Sequence, residues 1–254
     1  MKLAAGGKTD QGRVRDKNED RICVDEKLGL LIVADGIGGR SHGEVASELA
    51  VRAVRQFLRK EPQAFCDYDP AYCTATNRLN AAVMQANRTV YEAALSTPEL
   101  SGMGTTIAAA LLARDQLSFA HVGDSRIYLI RSGSIEQLTS DHSFVQEQLG
   151  RERITKEEAS QSLFKNVLTR ALGVDEEVAA DLGELTVLAD DILLLCSDGL
   201  YNMLSDEEML EIILRAGNVR AASEILTDIA NDNGGGDNIS AVVGHIRKKK
   251  WYRP

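Results

Sequence analysis

Two near-continuous apolar stretches of this chain end on the same dipeptide. Residues 28–34 (LGLLIVA) run into Asp35-Gly36, and residues 191–197 (DILLLCS) run into Asp198-Gly199. Runs of this length, bounded by turn residues, read as strands covered on both faces. A carboxylate where such a strand ends is costly unless it is paired or bound to a cation. A glycine after it lets backbone approach a ligand closely. One Asp-Gly at a strand end is simply a turn, but here the acidic ends recur. Asp124 follows Phe-Ala-His-Val-Gly at the end of a third predicted strand. Asp237 sits beside Asn238, after three glycines, at the start of the last one. Glu19 and Asp20 precede another, at 21–24.

If these ends converge, the carboxylates repel one another. No Lys or Arg lies inside the Asp35, Asp198 or Asp237 motifs to neutralise them, which leaves divalent cations. Every candidate donor is oxygen, favouring Mg²⁺ or Mn²⁺ over zinc. Arg15 stands four residues before Glu19. Alone it reads as a solvated surface cation. Beside a two-metal cluster it becomes a phosphate clamp, because a guanidinium grips phosphate at two points.

Around these motifs the pattern alternates between helix pairs and strands. Val45, Leu49, Ala53 and Phe57 recur every four residues and predict a helix over 43–60. Leu79, Val83, Ala86 and Val90 predict a second over 77–95. Short strands follow at 104–113, 116–121, 126–131 and 134–138. Arg114-Asp115 and Ser132-Gly133 serve as hairpin turns, together an antiparallel meander. Residues 140–169 are polar and weakly periodic, and are expected to form a mobile flap over the cleft. Ser205 and Glu208 spell a capping box opening a helix to about residue 215. A last helix at 219–231, a loop at 233–237 and a strand at 239–246 close the domain. Residues 247–254 (RKKKWYRP) form a basic tail. Hairpins flanked by helix pairs predict an α+β layered domain, not a doubly wound parallel sheet.

Composition removes several function classes. Lys plus Arg number 29 against 38 Asp plus Glu, a net charge of -9, which repels a phosphate backbone. Aromatics are only 5%, against a nucleic-acid module built on stacked rings. No apolar stretch reaches membrane-spanning length, and the first ten residues lack the apolar middle of a secretory signal. Cys23, Cys66, Cys73 and Cys196 form no C-x-x-C pair. They read as buried thiols of a reducing cytoplasm.

The ordered motifs Arg15-x-x-Asn-Glu-Asp20, Val33-Ala-Asp-Gly-Ile-Gly-Gly39, Gly102-Met-Gly-Thr-Thr106, Val122-Gly-Asp-Ser-Arg126, Cys196-Ser-Asp-Gly-Leu200 and Asp237-Asn238 resemble the metal-dependent protein phosphatases of the 2C type. The resemblance runs over almost the whole chain, in the short bacterial form. It implies a four-layer α/β/β/α sandwich, two central antiparallel sheets flanked by helix pairs, as one catalytic domain over 1–246. It implies hydrolysis of phosphoserine and phosphothreonine on proteins, opposing a bacterial Ser/Thr kinase. It further implies a cytoplasmic monomer with no nucleic-acid partner and no membrane span.

Carried over by position, two Mn²⁺ or Mg²⁺ ions share Asp35, with the Gly36 carbonyl beside it. Asp198 and Asp237 complete the first ion, and Glu19 holds the second through water. Asp124 with Asp198 forms a third, weaker site. Asp20 and Asn238 orient the ligands from behind. Arg15, Asp35 and Asp198 form the catalytic set, with Arg15 on the substrate phosphate.

Two departures bear on substrate choice. Ile37 stands where many relatives carry a histidine thought to act as general acid. Gln161-Ser162-Leu-Phe-Lys stands where the flap usually reads His-Pro ahead of the stretch 166–173. His42, His121 and His142 lie near motifs but are expected in structural or exposed roles. Two other readings compete: a phosphoprotein-binding module without turnover, and a phosphatase for small phosphoesters. A dead scaffold has no need of costly clustered carboxylates, and nothing in the sequence offers a dedicated small-molecule pocket.

Overall fold

The computed structural model describes residues 1–37, 42–60, 68–151, 153–155, 158, 162, 164 and 167–248. Two five-stranded sheets form its centre. The first runs in the order β1 (Lys2–Asp10), β12 (Ile239–Arg247), β11 (Ile192–Cys196), β8 (Arg126–Arg131), β9 (Ser134–Gln137). The second runs β10 (Asp181–Thr186), β7 (Gln116–Val122), β6 (Ile107–Ala113), β3 (Leu30–Ala34), β2 (Arg21–Asp25). Every neighbouring pair is antiparallel.

The period of two along each strand explains the layers. In β3, Leu31 and Val33 pack against Ile127, Leu129, Leu193 and Leu195 of the opposite sheet. Leu30 and Ile32 point the other way, under helices α1 (Gly43–Arg59) and α2 (Thr74–Ser96). In β11, Leu193 and Leu195 face the other sheet. Leu194 and Cys196 face the outer helices, numbered here α5 (Asp206–Arg215) and α6 (Val219–Asp232). A strand apolar on both faces is therefore what a four-layer α/β/β/α sandwich requires, and the expected architecture forms. The capping box at Ser205 and Glu208 is present in both of its hydrogen bonds.

The expected meander does not form as one unit. The Arg114-Asp115 hairpin joins β6 to β7 in one sheet, and the Ser132-Gly133 hairpin joins β8 to β9 in the other. The chain crosses between sheets at residues 123–125. Gly123 has φ +103, and a Cβ there would lie 2.6 Å from Thr106 Cγ2, so only glycine makes this turn. The predicted strand at 104–113 is also divided. β5 (Gly104–Thr105) pairs with β4 (Gly36–Ile37) in a small separate sheet, and β6 begins after Thr106. Both corrections have one cause. Asp35 follows β3, Thr106 precedes β6 and Asp124 follows β7, so these polar residues stand where three neighbouring strands of one sheet end.

Three further elements carried no periodic signal. β1 (KLAAGGKTD) and β10 (DLGELT) are edge strands, half-buried and poor in β-branched residues. Within the expected flap, α3 (Phe144–Gly150) is capped by Ser143, whose hydroxyl accepts from Gln146 N. Arg247 belongs to β12 rather than to the tail. Cys23 and Cys196 are buried thiols, but Cys73 is partly exposed. Cys66, Gly38, Gly39, the tail from 249 and several flap positions, among them Gln161 and Asn166, lie outside the described residues.

Candidate active site

Asp35 begins the site because its backbone is held before its side chain is considered. Its N–H donates to Thr106 Oγ1 at 2.9 Å, and its carbonyl accepts from Thr106 N at 2.8 Å and Thr105 Oγ1 at 2.9 Å. The Thr106 hydroxyl is itself fixed by Ser125 Oγ at 2.6 Å. The Gly-Thr-Thr motif thus locks the exit of β3. The same motif is legible in the sequence, but its role there is not.

The other acidic ends arrive from both sheets. Asp198 opens α4 (Asp198–Tyr201), a single turn after β11. Gly199 is obligatory here, since a Cβ would lie 2.1 Å from the Asn238 carbonyl. Asn238 ties the N-terminal loop to the last strand. Its Nδ2 donates to the carbonyls of Gln11 and Lys17 at 2.9 and 2.8 Å, and its Oδ1 accepts from Glu19 N at 2.8 Å. That places Glu19 and Arg15 beside residues more than two hundred positions away in the chain.

These ends border one cleft of about 780 Å³. Arg15, Glu19, Asp35, Gly36, Asp124, Asp198, Asp237 and Asn238 all line it, together with Ile37. Asp20, fully buried, lies beneath it, and its Oδ2 accepts from Ser197 and Ser240 Oγ, both at 2.7 Å. Ser197 adjoins the Asp198 motif, but only the register of β12 brings Ser240 there.

The electrostatics follow from crowding. Burial raises the Asp35 carboxyl well above its ordinary range, and Asp20, Asp198, Asp124 and Asp237 raise it further. Asp198 is pushed up to about 8 by burial and then by Asp124, Asp237 and Asp20, against the opposing Arg15. Asp124 rises to about 6 through burial and Asp141. Asp20 also rises to about 6 through burial, partly offset by its two serines. Glu19 is raised by burial and then by Glu44.

Asp198 Oδ1 and Asp20 Oδ1 are buried without a hydrogen-bond partner, a state that costs free energy unless a cation answers it. Orphaned carboxylate oxygens and an all-oxygen donor set fit a hard divalent ion. Among the described residues, no three acidic, thiol or imidazole groups are drawn together as a finished coordination shell. The carboxylates surround the cleft instead.

One expectation about charge needs correction. Arg15, though outside the acidic motifs in sequence, donates from Nη2 to Asp237 Oδ2 at 2.6 Å. Tertiary contact supplies a neutralising cation that the local sequence does not. The histidines stay out of the acidic cluster. His121 is fully buried, its ring centre 4.5 Å from that of His142 and tilted 49° to it, and His142 Nδ1 accepts from Gly123 N. His42 lies at the cleft rim, 3.6 Å from Glu44.

A sandwich whose strand ends gather carboxylates around a cleft, with the Arg15 guanidinium paired to one of them, is the architecture of the metal-dependent protein phosphatases. The family model described as Protein phosphatase 2C matches residues 10–230, and the chain belongs to that family. It is 40% identical over 239 residues to the serine/threonine phosphatase stp of Listeria innocua, covering 93% of each chain. The solved structure of the Mycobacterium tuberculosis serine/threonine phosphatase PstP/Ppp superimposes with a TM-score of 0.87 at 37% identity. That match covers 98% of this chain and all of the other. The PstP catalytic domain in complex with two manganese ions superimposes with a TM-score of 0.84 at 37% identity, covering 97% of this chain and 99% of that one.

Proposed function

We propose that this chain hydrolyses phosphoserine and phosphothreonine on proteins, with Mn²⁺ or Mg²⁺ held by the cleft carboxylates. The observation that carries the reading is Asp198 Oδ1, a buried carboxylate oxygen with no hydrogen bond, facing the charges of Asp124 and Asp237. In this reading Asp35 and the Gly36 carbonyl would help hold two ions, with Asp198 and Asp237 serving the first and Glu19 the second, and Asp124 with Asp198 would hold a third more weakly. Asp20 and Asn238 fix these groups from behind. When bound, such ions lower the pKa of water and offset negative charge on phosphoryl oxygens.

The chain's own residues supply the rest. Arg15 is about half exposed and its pair with Asp237 is open to solvent. Exposed pairs of this kind are weak, so the guanidinium can turn to a phosphate dianion and grip it at two points. Lys17 also lines the cleft and pairs with Glu44 at 2.9 Å, and Arg170 on the flap side lines it and pairs with Asp181 at 2.7 Å. Of these three cations, Arg15 is the one whose partner belongs to the acidic cluster itself. Cys23 and Cys196 are buried with their thiols pushed upward by that burial, so neither serves as a nucleophile. Val14 and Val174 border the cleft and stay more than half exposed. They suit the flanks of a peptide better than a small phosphoester.

In the same reading residues 1–247 act as one catalytic unit and the residues after Arg247 as a basic tail. The protein is a cytoplasmic monomer acting on substrates of a Ser/Thr kinase. The unpaired thiols of Cys23, Cys73 and Cys196 support a reducing compartment. No helix among the described residues is long and apolar enough to cross a membrane.

The test is phosphopeptide turnover by protein that has been exhaustively chelated, dialysed and then titrated with Mn²⁺ or Mg²⁺. Activity is expected only after metal addition, and full activity before it would overturn the reading. Arg15→Ala should lower kcat/KM with little effect on Mn²⁺ affinity, and Arg15→Lys should rescue it only in part. Collapse of Mn²⁺ affinity with unchanged inhibition by phosphate would make Arg15 structural.

A further inference from the structure

Asp124 precedes β8 and Asp198 follows β11, and the antiparallel pairing of Arg126 with Cys196 brings the two backbones near one another. Tyr201 adds a direct tie beyond that ladder. It closes the one-turn helix α4 that Asp198 opens, and its phenol donates to the Asp124 carbonyl at 3.1 Å. The other side of the ring is held as well. The Arg126 guanidinium, two residues beyond Asp124, lies 3.5 Å from the centre of the Tyr201 ring. That guanidinium is itself immobile. Its Nε and Nη2 donate to the two carboxylate oxygens of Asp141 at 3.0 and 2.7 Å, and its Nη1 donates to the Tyr128 hydroxyl at 3.1 Å. Gln137 Nε2 braces Asp141 at 3.2 Å.

The contacts close a ring from Asp124 through Ser125 and Arg126 to the Tyr201 face, and back through the phenol to Asp124. Two like-charged carboxylates drift apart unless the backbone carrying them is held. A shared cation then has to meet the cost of bringing them back. We propose that Tyr201 is a positioning residue that sets the spacing of Asp124 and Asp198, and with it the affinity of the cation site they share, with the Arg126–Asp141 pair as its clamp. The proposal rests on the reading of Asp124 as a ligand.

The experiment is calorimetric Mn²⁺ titration of the full chain as wild type, Tyr201→Phe, Asp124→Asn and the double variant. Thermal unfolding in chelator is measured in parallel. Tyr201→Phe keeps the ring and its stacking on Arg126 and removes one hydroxyl. It should raise the dissociation constant of the weakest Mn²⁺ step roughly 3- to 10-fold, the worth of one hydrogen bond, leave the tighter steps unchanged, and lower the chelated unfolding midpoint by no more than the loss of that one bond. Asp124→Asn should abolish the weak step, and adding Tyr201→Phe should then change nothing more. Arg126→Lys, which keeps the charge but not the two-point grip on Asp141, should weaken the same step alone.

A weak step lost in Asp124→Asn yet unaltered in Tyr201→Phe overturns the proposal. Uniform weakening of every step with a larger fall in the midpoint also overturns it, because Tyr201 is then a packing residue. A weak step that survives Asp124→Asn overturns the ligand reading of Asp124, and the proposal with it.

Discussion

Thr106 holds Asp35 from both sides of its peptide unit: its hydroxyl accepts from Asp35 N and its own N–H donates to the Asp35 carbonyl. Thr106→Val keeps the shape and removes the acceptor. The buried Asp35 N–H and Ser125 hydroxyl then each lose a partner. Stability should fall by about 1–3 kcal/mol, the usual cost of stranding a buried polar group. Mn²⁺ affinity should fall as well, because Asp35 is no longer aimed. Chemical denaturation and metal titration measure the two effects. A variant with unaltered Mn²⁺ affinity would show that Asp35 is positioned without the clamp.

Asp198→Asn removes one charge from a crowded group while keeping its shape. Without metal, the variant should be at least as stable as the wild type, because Asp124, Asp237 and Asp20 lose a repelling neighbour. With saturating Mn²⁺, kcat should drop at least about a hundredfold, in line with the loss of one such charged contact. The two measurements move in opposite directions, which a purely structural aspartate would not produce. A near-normal kcat would remove Asp198 from the site.

His121 predicts a pH limb in stability. Burial and then the neighbouring His142 push its imidazole down to about 3, against an ordinary value near 6.5 in the unfolded chain. The folded state therefore refuses a proton that the unfolded state accepts. The stability it contributes is complete above about pH 6.5 and is lost progressively as pH falls toward about 3. Between pH 6.5 and 5 the loss should approach about 2 kcal/mol. The cleft carboxylates slope the opposite way, so the useful quantity is the difference between wild type and His121→Phe across this range. A pH-independent difference would mean that His121 takes up a proton in the fold.

Ile37 lines the cleft and is more than a third exposed, but it cannot carry a proton. A serine or threonine alkoxide must be protonated as it leaves, whereas an aryl phosphate needs little such help. Ile37→His should speed phosphopeptide hydrolysis relative to aryl phosphate hydrolysis and add a limb near the imidazole pKa, roughly 6.5. The ratio of the two kcat values from pH 5.5 to about 8.5 reads this out. An unchanged ratio in a folded, metal-loaded variant would point to His42 at the cleft rim, since His121 is fully buried.

Much of this protein is local in origin. The runs ending at Asp35 and Asp198 are near-continuously apolar, which requires cover on both faces and so a layered sandwich. Helical spacing, the Ser205 cap and the two hairpin turns are also written within a few residues. The acidic strand ends pointed to a shared oxygen-donor site because each carries its cost locally. Other features depend on partners far along the chain. β1 and β10 gain their order from neighbours in a sheet, since Ala, Gly and Lys have little strand preference of their own. The division of the meander turns on the packing of Gly123 against Thr106. Arg15 meets Asp237 because Asn238 binds the loop before Glu19. Ser240 reaches Asp20 through strand register, and Tyr201 reaches the Asp124 carbonyl through the meeting of two sheets. The residue types of the site were legible because charge and burial conflict at single positions. Their separations, partners and protonation were not, because those are set by distances between strands that only the folded chain brings together.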